Sequence, residues 1–342
     1  MKQFLLLLTP LLFIGCADKK DQLHVLFYSE YIDPEVVSDF ETQFDCEVVM
    51  DLIEDPDTLI SKIAGGGGAG YDIITCDHRS LVLFADRGWL APLRKETIPN
   101  LKHLDPRFGE SEINPDFEYA IPYYWGTTGI LIRESEGESF EETWGLYFDP
   151  EKQPGPFYIL EDLRSSIGAA LRYLGHSVNT VDPNVLSEAG DLLIEAKKRA
   201  IGFEVSLLAK NRILTKEAKM AYVYSTEAAK VLIVDPESRY FIPQEGGMIW
   251  VDMLSISARA QNPELAESFL NFLNDPEING RNTNWNRTAT PNLAAKQFLD
   301  PEFLANPAIF PPDDVLDRVE YDQDVGEATR LFDELWTRIK SK

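Results

Sequence analysis

HVLFYSEYIDPEVVSDFETQFDCEVVMDL, residues 24–52, reads as strand, helix and strand in succession. His24 to Tyr28 is a short apolar run suited to a buried strand, and Ser29 follows where the chain turns. From Pro34 to Gln43 the spacing of Val36, Val37, Phe40 and Phe44 approximates one helical face, and Cys46 to Leu52 alternates too weakly for an edge strand, so it is expected to be buried. Pro56 and Thr58 introduce a second helix through Ile63. Gly65 to Gly68 and Gly70 break it before a strand at Asp72 to Cys76, and a helix from Ser80 ends at Gly88. Strands alternating with helices in this way predict a βαβ sheet covered on both faces.

Farther along, Ala120 to Ile132 carries Tyr123-Tyr124-Trp125 before Gly126 and continues as an apolar strand. The pattern then begins afresh. Helices are expected at Asp162 to Leu174 and Pro183 to Ala200, strands at Ala221 to Tyr224, Lys230 to Val234 and Gly247 to Ile256, and a helix at Pro263 to Leu273. A last helix, Glu327 to Lys340, sets Ala328, Leu331, Leu335 and Ile339 near one face. The renewed pattern predicts two lobes, with crossings near Trp125 and Trp250 and a ligand cleft between them.

Composition narrows the function. With 57 acidic against 32 basic residues the chain carries a formal charge of -25, which argues against nucleic acid as partner and is compatible with a cationic ligand. Histidines at 24, 78, 103 and 176 form no HExxH pair, and no CxxC is present, so no metal centre or other cofactor is expected. The glycine cluster follows a helix and precedes a strand, the reverse of a phosphate loop. No GxSxG elbow or local Ser, His and Asp arrangement occurs, so no catalytic residues are expected. Cys46 and Cys76 read as two separate thiols.

The N-terminus supplies an address. Lys2 precedes an apolar run from Phe4 to Ile14, then Gly15 and Cys16, too short for a spanning helix of about 20 residues but suited to a signal peptide. The small residue before Cys16 predicts a lipoprotein signal over 1–15, lipidation of Cys16 and a tether over 16–22, so that the protein works in the periplasm or on an extracytoplasmic membrane face, held by lipid alone. Phe13 is unusual for such a signal. The alternatives are secretion with cleavage near Ala17, or a cytoplasmic protein with an apolar first strand.

Candidate binding residues lie where strands end. Tyr28, Ser29 and Tyr31 follow the first strand, Asp77 and Arg79 the third, Asp162 opens a helix, and Tyr224 closes another strand. Trp250 and Asp252, two apart in a strand, share a face. Aromatic faces beside carboxylates suit an alkyl ammonium, although Trp250 and Tyr224 also fit a core and Asp162 a helix cap.

The stretches YDII (71–74), IPYYWGTTG (121–129), GGMIWVDMLSI (246–256), TPNLAA (290–295) and DVGEA (324–328) carry a resemblance, in order and spacing, to the spermidine/putrescine-binding proteins of bacterial ABC importers. The resemblance implies a two-lobed α/β periplasmic binding protein fold of type II, with lobe one at 23–126 and 251–296 and lobe two at 127–250 and 297–342. It implies a monomer that closes on a polyamine, putrescine or spermidine, and hands it to a permease without catalysis. Tyr28, Tyr31, Tyr224 and Trp250 match its aromatic clamp, Asp162 and Asp252 its amine-binding carboxylates, and Ser29 its hydroxyl near the first strand. Ser165 stands where spermidine binders commonly have glutamate, Asp77 and Arg79 replace serine and tyrosine, and Thr288 replaces another tyrosine. Asp322 takes the place of a glutamine and is expected to restore negative charge. Arg79 is expected to pair with Asp77 or lie at the rim. The alternatives are that it grips the carboxylate of a zwitterionic amine, or that the domain serves a tethered sensor.

Overall fold

The structure is a computed structural model that describes residues 20–53, 56–110 and 114–342. The signal segment and Cys16 lie outside the described residues. Among those described, eleven strands form one sheet: β1 Asp21–Tyr28, β2 Cys46–Ile53, β3 Ile73–Cys76, β4 Leu90–Ala91, β5 Ala120–Arg133, β6 Phe157–Leu160, β7 Gly202–Glu204, β8 Met220–Tyr224, β9 Ser238–Phe241, β10 Gly247–Ser257 and β11 Val319–Tyr321. The main path runs β2-β1-β3-β10-β5-β8-β6-β7, with β4 and β11 joined to β10 and β9 to β5.

Two parallel wings, β2-β1-β3 and β8-β6-β7, flank a central antiparallel pair, β10 and β5. That pair belongs to both halves of the molecule. In β5 every residue except Arg133 is buried, as a strand covered on both faces requires.

Each wing has its own core. Phe27, Phe40, Ile74, Phe84, Trp125 and Phe269 pack in the first, and Ile132, Phe157, Ile167, Leu193, Tyr222 and Phe332 in the second. Two cores joined by two long strands make a two-lobed α/β protein with a curled mixed sheet. The last helix, Thr329–Ser341, packs on the second core through Phe332, Leu335 and Ile339; its inward face therefore includes Phe332, and Leu331 lies beside it half-buried. Leu299, Phe303 and Ile309 pack in the first core, although residues from 297 onward were expected with lobe two.

Three other expectations change. Cys46–Ile53 is the sheet's edge, paired to β1 and not to a second strand, with Leu52 52% exposed. Helices cover the faces of a parallel sheet, so weak alternation reports covered faces and says nothing of place in the hydrogen-bonding order. Lys230–Val234 is the second half of a helix, Ser225–Val234, buried through Ala228, Ala229 and Val231 while Ile233 and Val234 face water. A short apolar run cannot by periodicity alone be told from a helix segment. Asp21 and Gln22, expected in the tether, instead pair with Cys46 and Glu47 in the sheet.

Cys46 and Cys76 are buried free thiols. The glycine cluster is a helix exit: helix Pro56–Gly66 gives way to Gly67 and Gly68 with φ of 58° and 77°. At Gly68 a Cβ would also lie 2.8 Å from Ser257 Oγ, so both backbone angle and close packing require glycine.

Candidate functional site

A cavity of about 450 Å³ lies where the two wings meet across β5 and β10. The carboxyl ends of parallel strands from both halves point at it: β1 delivers Tyr28 and Ser29, β3 delivers Asp77 and Arg79, β6 leads to Asp162, and β8 ends in Tyr224. Open α/β sheets place ligands beyond such strand ends. Eleven of the twelve candidate side chains line this one cavity; the exception is Thr288, which is buried outside it. Thr288 follows Arg287 in the turn after helix Pro276–Asn286 and precedes Ala289, which bridges to Trp125 on β5.

The floor of the cleft is β10. Its register with β5 shifts after Asp252: Asp252 faces Tyr124 and Met253 faces Pro122, leaving Tyr123 as an extra residue. A proline cannot donate to the ladder and is tolerated in a sheet at such bulges, which bend a strand and re-aim its side chains. The bulge sits beside Asp252. Two pairs earlier, Trp250 lies opposite Gly126, where a Cβ would come within 2.4 Å of the indole Cζ2 and 2.7 Å of Ser225 Oγ. Glycine at 126 gives the indole its seat, and Tyr224 meets it edge to face at 6.3 Å.

The wall from lobe one is tyrosine. Glu30 takes a left-handed backbone angle, φ 54°, and its carbonyl accepts from Asn286. This turn lets both Tyr28 and Tyr31 reach the cleft, their rings 5.7 Å apart. Tyr31 packs edge-on against Tyr123 and Tyr124, and Tyr123 donates to its carbonyl. The Tyr31 hydroxyl donates to Asp252 Oδ2 at 2.5 Å.

Asp252 is part-buried in the cleft floor, and this burial pushes its carboxyl up to about 7; Asp77 adds to the rise while the Tyr31 hydroxyl opposes it. Burial and the Asp252 charge raise the Tyr31 phenol well above its ordinary range. Asp162 and Asp77 each cap a helix. Asp162 Oδ1 accepts from the Ser165 amide at 2.6 Å, and Asp77 Oδ1 from the Ser80 amide at 2.7 Å. Carboxylates at helix N-termini offset the positive end of the dipole, which would otherwise disfavour a cation in the cleft.

Asp322 lines the cleft, but its charge is already met. Arg164 reaches its Oδ1 at 2.6 Å and Arg79 its Oδ2 at 3.4 Å, with Arg79 also 3.7 Å from Asp77. The expectation that Asp322 would leave open negative charge is corrected by Arg164, a buried residue absent from the candidate set. Burial nonetheless lifts the Asp322 carboxyl to about 6, against the pull of Arg164 and Arg79. His78 was missed too. It stacks on Tyr321 at 5.2 Å, and its Nδ1 lies 3.1 Å from the Asp322 carbonyl oxygen. Glu227 lines the cavity from the first turn of Ser225–Val234. Burial works to raise its carboxyl, but hydrogen bonds from Lys210 and Lys230 outweigh it and hold the group below its usual range.

Among the described residues no group of three or more His, Cys, Asp or Glu is arranged to hold a metal ion, and no helix is long and apolar enough to cross a membrane. Fold and cleft together define a type II two-lobed solute-binding protein. Residues 35–311 match the family described as bacterial extracellular solute-binding protein, and the chain belongs to it. It is a binding protein of transport that works outside the cytoplasm, and its family is not one of enzymes. A putrescine/cadaverine-binding protein of Pseudomonas aeruginosa is 29% identical over 99% of both chains. A putrescine-binding periplasmic protein of the same species is 30% identical over 96% of this chain and 94% of the relative. Among solved structures, a spermidine/putrescine ABC transporter substrate-binding protein from Streptococcus pneumoniae superposes with a TM-score of 0.84 at 26% identity, covering 94% of this chain and 99% of that one.

The Asp252 carboxyl sets a stability prediction. Its folded value of about 7 stands above the ordinary 3.8, so the folded state holds its proton longer. The favourable contribution is complete below pH 3.8 and is lost as pH rises through 7. Asp252→Asn should therefore unfold at higher temperature than the unliganded parent at pH 8, with the gain vanishing toward pH 4. Thermal melts across that range check it, and a variant less stable at pH 8 contradicts it.

Proposed function

We propose that this chain is the polyamine-binding component of an ABC importer, holding its ligand between Trp250 and the tyrosines of lobe one and delivering it to a permease. The observation that carries the reading is the part-buried Asp252 carboxylate, bounded by Tyr31 and Trp250 and met by no basic side chain among the described residues. A desolvated carboxylate in an aromatic enclosure gains most from an alkyl ammonium, which supplies charge, hydrogen bonds and a methylene stem together. Relatives along nearly the whole chain bear names of putrescine and spermidine binding.

The roles of the side chains follow. Asp252, aided by Tyr31, takes one ammonium group and Asp162 another. Trp250, Tyr224, Tyr28 and Tyr31 enclose the hydrocarbon, with Ser29 and Ser165 as polar neighbours. The lobe division follows the cores: residues from 297 to about 310 join lobe one, and the final helix stays with lobe two. The protein acts as a monomer tethered by lipid at Cys16. Mass spectrometry of the membrane-extracted protein should find Cys16 as a diacylated N-terminal residue, and a mature chain beginning beyond it contradicts the tether.

Calorimetric titration with putrescine, cadaverine, spermidine and spermine tests the binding itself. At least one should bind at pH 8, and Asp252→Asn should weaken it by roughly 2 to 5 kcal/mol, the usual cost of breaking a buried charge pair. Affinity of the parent should fall by up to about tenfold per pH unit below 7, as a proton competes for Asp252. Absence of binding by all four amines contradicts the proposal.

A further inference from the structure

We infer that Arg79 makes this cleft selective for a diamine by neutralising the place where a third ammonium group would otherwise be held; the inference rests on the amine reading above. Among the described residues, five carboxylates line the cavity: Asp77, Asp162, Glu227, Asp252 and Asp322. Three of them have basic partners from the protein. Glu227 pairs with Lys210 and, at 2.8 Å, with Lys230. Asp322 and Asp77 share Arg79, and Asp322 also holds Arg164 at 2.6 Å. The Asp77, Asp322, Arg79 and Arg164 group therefore sums to zero charge.

Asp162 and Asp252 differ. Their donors are neutral, the Ser165 amide and the Tyr31 hydroxyl, and among the described residues neither forms an ion pair. Two open carboxylates are balanced by two ammonium groups. A longer amine would bring its third charge to a region whose carboxylates are already met, with the Arg79 guanidinium repelling it at short range. Ser165 lines the cavity but is neutral, so it brings no charge to hold a third ammonium group.

Arg79 suits a direct test because its side chain is 41% exposed, so replacing it leaves both cores intact. Titrations at pH 8 would compare putrescine, cadaverine, spermidine and 4-aminobutyrate on the parent, Arg79→Gln and Arg79→Lys, with thermal melts to confirm folding. In the parent, a diamine should bind at least tenfold tighter than spermidine. Arg79→Gln should shrink that ratio at least fivefold, and Arg79→Lys, which keeps the charge, should retain most of it. Spermidine binding the parent as tightly as the diamines overturns the inference, as does an unchanged ratio in Arg79→Gln. Tighter binding of 4-aminobutyrate than of putrescine also overturns it, since Arg79 would then be receiving a ligand carboxylate. If none of the amines binds, it is the polyamine reading that fails; binding without discrimination removes this inference alone.

Discussion

The hydrogen bond from Tyr31 to Asp252 joins the two facts on which the cleft depends: a carboxylate partly shielded from water, and an aromatic shell that, among the described residues, gives it no positive charge. Burying a charge unpaired is costly, and a protein usually answers by pairing it or protonating it. Here the phenol orients the carboxylate and leaves its charge unmet. The molecule is thus less stable empty than it could be, in return for a place where a cation gains most.

That arrangement is built by the central pair of strands. Pro122 and the bulge at Tyr123 set the local bend of β5, Gly126 leaves room for the Trp250 indole, and alternation along β10 puts Trp250 and Asp252 on one face. Because β5 and β10 carry both wings, any change in their bend is felt on both sides of the cleft. The remaining carboxylates enter from helix starts, where Asp77 and Asp162 are fixed by backbone amides. Arg164 and Arg79 come from opposite halves and meet at Asp322, so the cleft's charge balance is set by both.

Much of this could be read from residues alone. Strand ends, helix starts and the two-residue spacing of Trp250 and Asp252 are local, and local signals located nine of the cavity's lining residues, while Ser165 and Asp322 came from the resemblance alone. What could not be read was the pairing of distant charges. Nothing local sets Arg164 apart, and only folding places it on Asp322, across 158 positions of chain. His78 is likewise defined by Tyr321 and Asp322 rather than by its neighbours. Thr288 and the 230–234 run failed for a different reason, since a matching position or an apolar run does not say which way a side chain faces once neighbouring elements are packed. Place in the sheet was equally hidden, as β2 shows, because hydrogen-bond order is settled by partners far along the chain.

The most direct measurement is the ionisation of Asp252 itself, followed by carbon NMR of its carboxyl with and without putrescine. The account predicts a midpoint near 7 in the empty protein, falling below about 5 when an ammonium group is seated beside it. An empty-state midpoint near 4 that ligand does not move would contradict it.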